Sequence, residues 1–183
     1  MNITRFIMKK IIYSLTLAVL FILTSFTLKD SPDWKLTDKH SVWFTGKRIS
    51  GFFHDIKGEI SFDENKLSTA RIKLEADVKS IKTGNSLRTW NAKKKKWFDA
   101  KQFQTISFVS EKFKKTTSGY VVDGKLKMKG VEKTVSIPFK FSDKTFFGSF
   151  QVRRSDYNVG KMKGFAKMVS DTITINFTIP VTK

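Results

Sequence analysis

The chain has 183 residues, with 35 Lys or Arg against 16 Asp or Glu and no cysteine. That length suits one domain with a sizeable core, and the missing cysteine excludes disulfides, a lipid-anchoring export cysteine and thiolate chemistry. Eighteen phenylalanines beside three prolines argue against a disordered chain and for an aromatic-rich interior.

Arg5, Lys9 and Lys10 precede an apolar run from Ile11 to Leu28. A basic start followed by such a run predicts a signal peptide over residues 1–28, cut between residues 24 and 29. A membrane span is the alternative on length, but Ser14, Thr16, Thr24, Ser25 and Thr27 dilute the run and no basic stop-transfer cluster follows. Cleavage would leave 32 basic and 16 acidic residues, a net charge of +16. Such an excess predicts attraction to anionic surfaces, phospholipid head groups among them. Lysine scattered over outer strand faces also keeps β-proteins soluble and blunts their edges.

From Trp34 to Lys183 the pattern is one domain of short strands alternating apolar and polar residues. Val42 and Phe44 share one face, and Phe52, Ile56, Ile60 and Phe62 share another. The clearest alternation sets Ile72, Leu74, Ala76 and Val78 against Arg71, Lys73, Glu75 and Asp77. Ile106 and Phe108 follow, then Val122, Leu126 and Met128, then Val135, Ile137, Phe139 and Phe141. Phe146, Phe150 and Val152 come next, and Ile173, Ile175, Phe177, Ile179 and Val181 close the series. Turn residues such as Asp63-Glu64-Asn65, Thr117-Ser118-Gly119 and Lys129-Gly130 separate the strands. The fold class is all-β, and about eight strands with one apolar face each form either a sandwich or a closed barrel.

The alternation breaks once, between Asp77 and Phe108. A turn signal (Thr83-Gly84-Asn85), a short helix-compatible segment, the run Lys93 to Lys96 and the pair Trp97-Phe98 predict a helical or loop insertion near residues 84–104. Such an insertion plugs, lids or opens a sheet. Ser80, Thr83 and Asn85 read as turn and cap residues. The lysine run either attracts an anionic head group or membrane or forms a solvated loop.

Little in the chain points to catalysis. His40 and His54 are the two histidines, too few for a metal site that needs three or four ligands, so a hydrogen-bonded structural role is expected of them. No nucleophile elbow, P-loop or dinucleotide fingerprint is present. The aromatic residues mostly share the inward parity, whereas nucleic-acid stacking platforms need exposed rings beside basic residues.

The insertion reads Ser80-Ile81-Lys82-Thr83-Gly84-Asn85-Ser86-Leu87-Arg88-Thr89-Trp90-Asn91-Ala92, then Trp97-Phe98-Asp99, then Ile106-Ser107-Phe108. It resembles the central signature of the YceI-like family of bacterial secreted proteins. The likeness extends to His40-Ser41, to residues 58–63 and 124–135, and to Arg154-Ser155-Asp156-Tyr157, so it covers residues 34–181. Thr89 and Asn91 stand where the family pattern has Asp and His, and no role is expected for that acid or imidazole.

The resemblance implies an eight-stranded antiparallel lipocalin-like barrel with an apolar interior cavity. It also implies a periplasmic or secreted protein that binds, stores or transports a long apolar ligand such as a polyisoprenoid or isoprenoid quinone, without catalysis or cofactor, and it hints at a homodimer. The expected ligand-binding residues along the strands are Phe44, Ile56, Ile60, Phe62, Ile72, Leu74, Ile106, Phe108, Met128, Phe139, Phe150, Ile175 and Phe177. From the insertion come Arg88, Trp90, Trp97, Phe98 and Phe103. Arg88 either closes over a head group or holds the insertion by bonding carbonyls or Asp99. Arg154 with Asp156 is expected to be a turn-fixing ion pair. The competing structural reading is a barrel filled by its own phenylalanines.

Overall fold

Alternation from Trp34 onward is realised as β-sheet in the computed structural model, which describes residues 34–160 and 164–183. The export segment read from the sequence lies outside the described residues. The strands are β1 (Lys35–Leu36), β2 (Ser41–Gly46), β3 (Ile49–Phe53), β4 (Ile56–Ser61), β5 (Arg71–Asp77) and β6 (Ile81–Thr83). After the helix α1 (Ser86–Ala92) come β7 (Thr105–Thr116), β8 (Gly119–Met128), β9 (Val131–Ser142), β10 (Thr145–Arg153) and β11 (Thr172–Thr182).

All pairings are antiparallel, in the order β4-β5-β7-β8-β9-β10-β11-β2-β3-β6. The sheet curls until its ends approach. β1 pairs with the last residues of β11, and Trp34 just before it bridges Ile60 of β4. This strap completes one end of the barrel-like wall.

Among the described residues eleven strands stand where about eight were expected. The surplus is short: β1 has two residues and β6 three. The apolar phase also breaks between β3 and β4, where His54 and Asp55 leave the ladder. Phe53 and Ile56 are both buried although three residues apart. Phe52, expected on the inner face, instead turns outward beside Trp43, with ring centroids 5.0 Å apart. The inner Phe44 lies across β3 because its register partner there is Gly51, where a Cβ would stand 2.5 Å from the phenylalanine ring.

One end of the interior is solid. The Phe62 ring lies 5.3 to 6.1 Å from those of Phe113, Tyr120, Phe139, Phe141 and Phe146, mostly edge to face, the geometry aromatic quadrupoles favour. Tyr120 donates its hydroxyl hydrogen bond to Glu64 at 2.6 Å, tying the turn after β4 to β8. That bond, with burial and the carboxylate charge, pushes the phenol up to about 12. The folded-state value exceeds the unfolded one, so this stabilisation is complete below pH 10 and is lost as pH rises toward 12. Alkaline unfolding followed by circular dichroism is expected to show that loss, and Tyr120→Phe to flatten it. An unchanged alkaline limb in the variant would contradict the assignment.

Candidate functional site

Beyond the aromatic cluster the inner faces do not meet. They line a cavity of about 170 Å³ to which nine strands contribute, with Val42 of β2 and Phe53 of β3 among the lining residues. Ile56 and Ile60 of β4, Ile72 and Leu74 of β5, and Ile106 and Phe108 of β7 form one side. Val122, Leu126 and Met128 of β8 continue into Ile137 and Phe139 of β9. Phe150 and Val152 of β10 with Ile175, Phe177 and Ile179 of β11 close the ring. Of 22 lining residues, Glu75 and Ser107 alone are polar. Leu74, Ile106, Phe150, Ile175 and Phe177 are only half-buried despite their inward parity, because the surface they leave uncovered lines this space. A void with so few polar groups has nothing to hold ordered water and stays dry.

A second, wider pocket of about 590 Å³ adjoins it under the insertion. Phe44, Ile49, Ile81, Ala92, Trp97, Phe98 and Val169 form its floor and walls, and Arg48, Arg88 and Lys96 bring three cations to it with no acidic residue. The Phe53 ring sits 5.8 Å from both Phe44 and Phe98. Phe53 lines the interior cavity while Phe44 and Phe98 line the outer pocket, so these three rings partition inside from mouth.

The insertion is built from local hydrogen bonds. Asn85 caps α1 by accepting from the Arg88 amide at 2.9 Å, satisfying one orphan donor of the first turn. Thr89, in the place of the family's acid, accepts from the Thr83 amide at 3.0 Å. Arg88, Asn91 and Ala92 line the mouth, whereas Leu87 and Trp90 line no part of it and are exposed.

Arg154 holds the opposite rim. Its guanidinium is 3 % exposed and donates to the carbonyls of Ser170, Val159, Gly160, Ala166 and Val169. It also lies 5.5 Å from the Trp97 ring. This reaches well beyond a turn-fixing ion pair with Asp156. Burial draws the guanidinium below its usual value, against the pull of Asp171. Burial raises Asp171 itself, but hydrogen bonds from the Ser155 hydroxyl and amide and from Arg153 outweigh that and hold it below the usual carboxylate range. Gly160 sits against Trp97, with φ 67° and no space for a side chain: a Cβ would lie 2.5 Å from the indole. Its amide bonds the Lys96 carbonyl, and Lys129 Nζ donates to the carbonyls of Lys95 and Asn158. The lysine run is thereby tied to the rim, and only Lys96 of its four members lines the pocket.

Of the residues expected to bind ligand, the structure gathers Ile56, Ile60, Ile72, Leu74, Ile106, Phe108, Met128, Phe139, Phe150, Ile175 and Phe177 around the interior cavity. Phe44, Arg88, Trp97 and Phe98 meet at the mouth. Three lie elsewhere. Phe62 is at the centre of the aromatic cluster, because it belongs to the filled end. Trp90 is on the outer face of α1, 57 % exposed, with the Lys94 ammonium 3.9 Å from its ring. Phe103 packs against Gly130 in the β8–β9 turn, anchoring the insertion and not capping the cavity.

Several lining residues escaped sequence reasoning, Phe53, Arg48, Ile49 and Val169 among them. Phe53 was hidden by the phase break, and Arg48 sits at a hairpin tip whose direction no periodicity reports. Its φ of 62° is a left-handed conformation that costs a non-glycine residue about 1 kcal/mol. His40 Nδ1 lies 2.8 Å from the Thr37 carbonyl and Nε2 3.3 Å from that of His54, and the single N–H of a neutral ring donates to one of them, so its role is local bracing. Among the described residues no cluster of three His, Asp or Glu is arranged to hold a metal ion.

Comparison with known proteins agrees with this architecture. The chain is 28 % identical over 94 residues to a UPF0312 protein of Yersinia enterocolitica, covering 51 % of this chain and 49 % of that one. It is 27 % identical over 136 residues to a UPF0312 protein of Photorhabdus laumondii, covering 70 % of each. The matched part thus spans about half the length of the first of these relatives. Among solved structures it is similar to Burkholderia cenocepacia BcnA, with a TM-score of 0.72 and 30 % identity over 79 % of this chain and 97 % of that one. Its fold is also similar to that of a polyisoprenoid binding domain from Saccharophagus degradans implicated in plant cell wall breakdown. That match has a TM-score of 0.61 and 13 % identity, over 81 % of this chain and 97 % of the other. Residues 34–181 match the YceI-like domain, and the chain belongs to that family.

Proposed function

We propose that this protein is a non-enzymatic carrier that binds, stores or transports one long apolar molecule of the isoprenoid class in the cell envelope. The observation that carries this reading is the dry interior, with 20 apolar residues among the 22 that line it. Each ligand methylene buried there gains roughly 0.8 kcal/mol, without needing a directed hydrogen bond. The volume sets the pose. A cavity near 150 Å³ holds about one benzene-sized group, so the 170 Å³ interior receives the end of a chain. The remainder passes the Phe44–Phe53–Phe98 partition into the mouth. There Arg48, Arg88 and Lys96 favour an anionic head group.

The polyisoprenoid binding of the Saccharophagus domain supports the same ligand class by analogy of fold. The basic-then-apolar segment at residues 1–28 supports a periplasmic or secreted location. The aromatic cluster around Phe62 favours a purely structural barrel at one end only. Native mass spectrometry of protein recovered from its own envelope tests the carrier reading. One prenyl or acyl chain per protein is expected, regained on incubation with a prenol after delipidation. Protein that stays empty in both conditions would overturn it.

A further inference from the structure

The outer face of the insertion is the least expected surface of the molecule. Leu87 and Trp90, one helical turn apart on α1, are 67 % and 57 % exposed. Trp43, 49 % exposed on β2, stacks at 5.0 Å with Phe52 of β3. The two pairs are joined through Lys82, which is in register with Phe52 and shares a surface groove with Trp90 and Lys93. Lys82, Lys93 and Lys94 lie beside them. Residues 78–98 hold seven Lys or Arg and no Asp or Glu.

We infer that this face docks the protein on an anionic phospholipid bilayer, with the mouth beside the membrane surface. Apolar and indole side chains ringed by lysines are the composition that settles into a head-group layer, rings at the interface and ammonium groups on the phosphates. Lys94, stacked 3.9 Å over Trp90, sits where both contacts are made together. A second copy of the chain is a poorer occupant, since it would bring its own Lys82, Lys93 and Lys94 against these. The location also has a use. Arg88, Asn91 and Ala92 of the same helix line the mouth, so docking by Leu87 and Trp90 brings that pocket to the membrane surface. An isoprenoid chain then moves between bilayer and cavity with little exposure to water. This use rests on the carrier reading, whereas the docking itself does not.

Sedimentation with vesicles of phosphatidylcholine, with and without phosphatidylglycerol, tests the inference on the protein as recovered from its envelope. Binding is expected to the anionic vesicles, to fall with salt, and to drop roughly tenfold or more in Leu87→Ser/Trp90→Ser. Lys93→Gln/Lys94→Gln is expected to weaken it through charge alone. Leu87, Trp90 and Lys94 are exposed and Lys93 is half-buried, and the thermal midpoint serves as a control for folding. Equal binding to neutral vesicles, binding by the Leu87/Trp90 variant equal to the wild type, or no vesicle binding would overturn the inference. Self-association through this face would be seen as a dimer in solution lost in the same variant, and would also overturn it. Uptake of a prenol from detergent, with no bilayer present, is expected to be unchanged in that variant. Uptake without docking refutes only the docking, and docking without uptake refutes only the carrier.

Discussion

Replacing Arg154 with methionine is expected to cost the fold about 3–4 kcal/mol, among the largest effects of any single substitution in this chain. Five carbonyls from three segments converge on one guanidinium. Methionine fills similar space but donates nothing, so buried carbonyls are left without a partner, at roughly 1–3 kcal/mol each where water cannot reach them. For a domain of this size the thermal midpoint should fall by roughly 10 °C. Arg154→Lys restores the charge but not the fork. An ammonium has three donors on one atom, and it cannot span carbonyls from Val159 to Ser170 as the planar group does. Only partial recovery is therefore expected. Unfolding by heat or urea, followed by circular dichroism, reads both variants. A methionine variant within about 1 kcal/mol of wild type would show that the hub is not the fastener described here.

Much of the architecture was legible because strand alternation reports burial directly. Most of the β5 alternation was readable: Ile72 and Ala76 face in, while Arg71 and Lys73 are exposed, although Glu75 also borders the cavity. The insertion was legible for the converse reason, since the alternation stops there, and Asn85 caps the helix as its residue type predicts.

The misreadings share a cause. A two-residue parity survives only while the ladder is unbroken, and His54-Asp55 breaks it, so Phe52 and Phe53 exchange faces. Arg154 looked like half of a local ion pair because sequence proximity picks out Asp156. Its actual acceptors lie up to sixteen residues away, at distances that no local pattern encodes.

Hollowness was the least legible property. Periodicity shows which side chains point inward, but not whether they meet. At one end six aromatic rings close the interior; at the other, the same kinds of residue leave about 170 Å³ open. Phe62 and Phe108 differ in this outcome although both are inward and buried.

The second large effect follows from that open space. Ile106 and Ile175 line the cavity from β7 and β11, four strands apart in the sheet order. The double variant Ile106→Trp/Ile175→Trp is expected to fill the void and cut prenol uptake at least about tenfold, since the chain end loses the apolar surface it would bury. In a packed core the same two substitutions would overpack, at about 1–3 kcal/mol each. In a hollow one they remove cavity volume that itself costs about 24 cal/mol per Å³. The unfolding free energy of the delipidated double variant therefore separates a hollow barrel from a solid one. A value within about 1 kcal/mol of wild type, or above it, is the result predicted for an empty interior, and a loss of about 3 kcal/mol or more would contradict it.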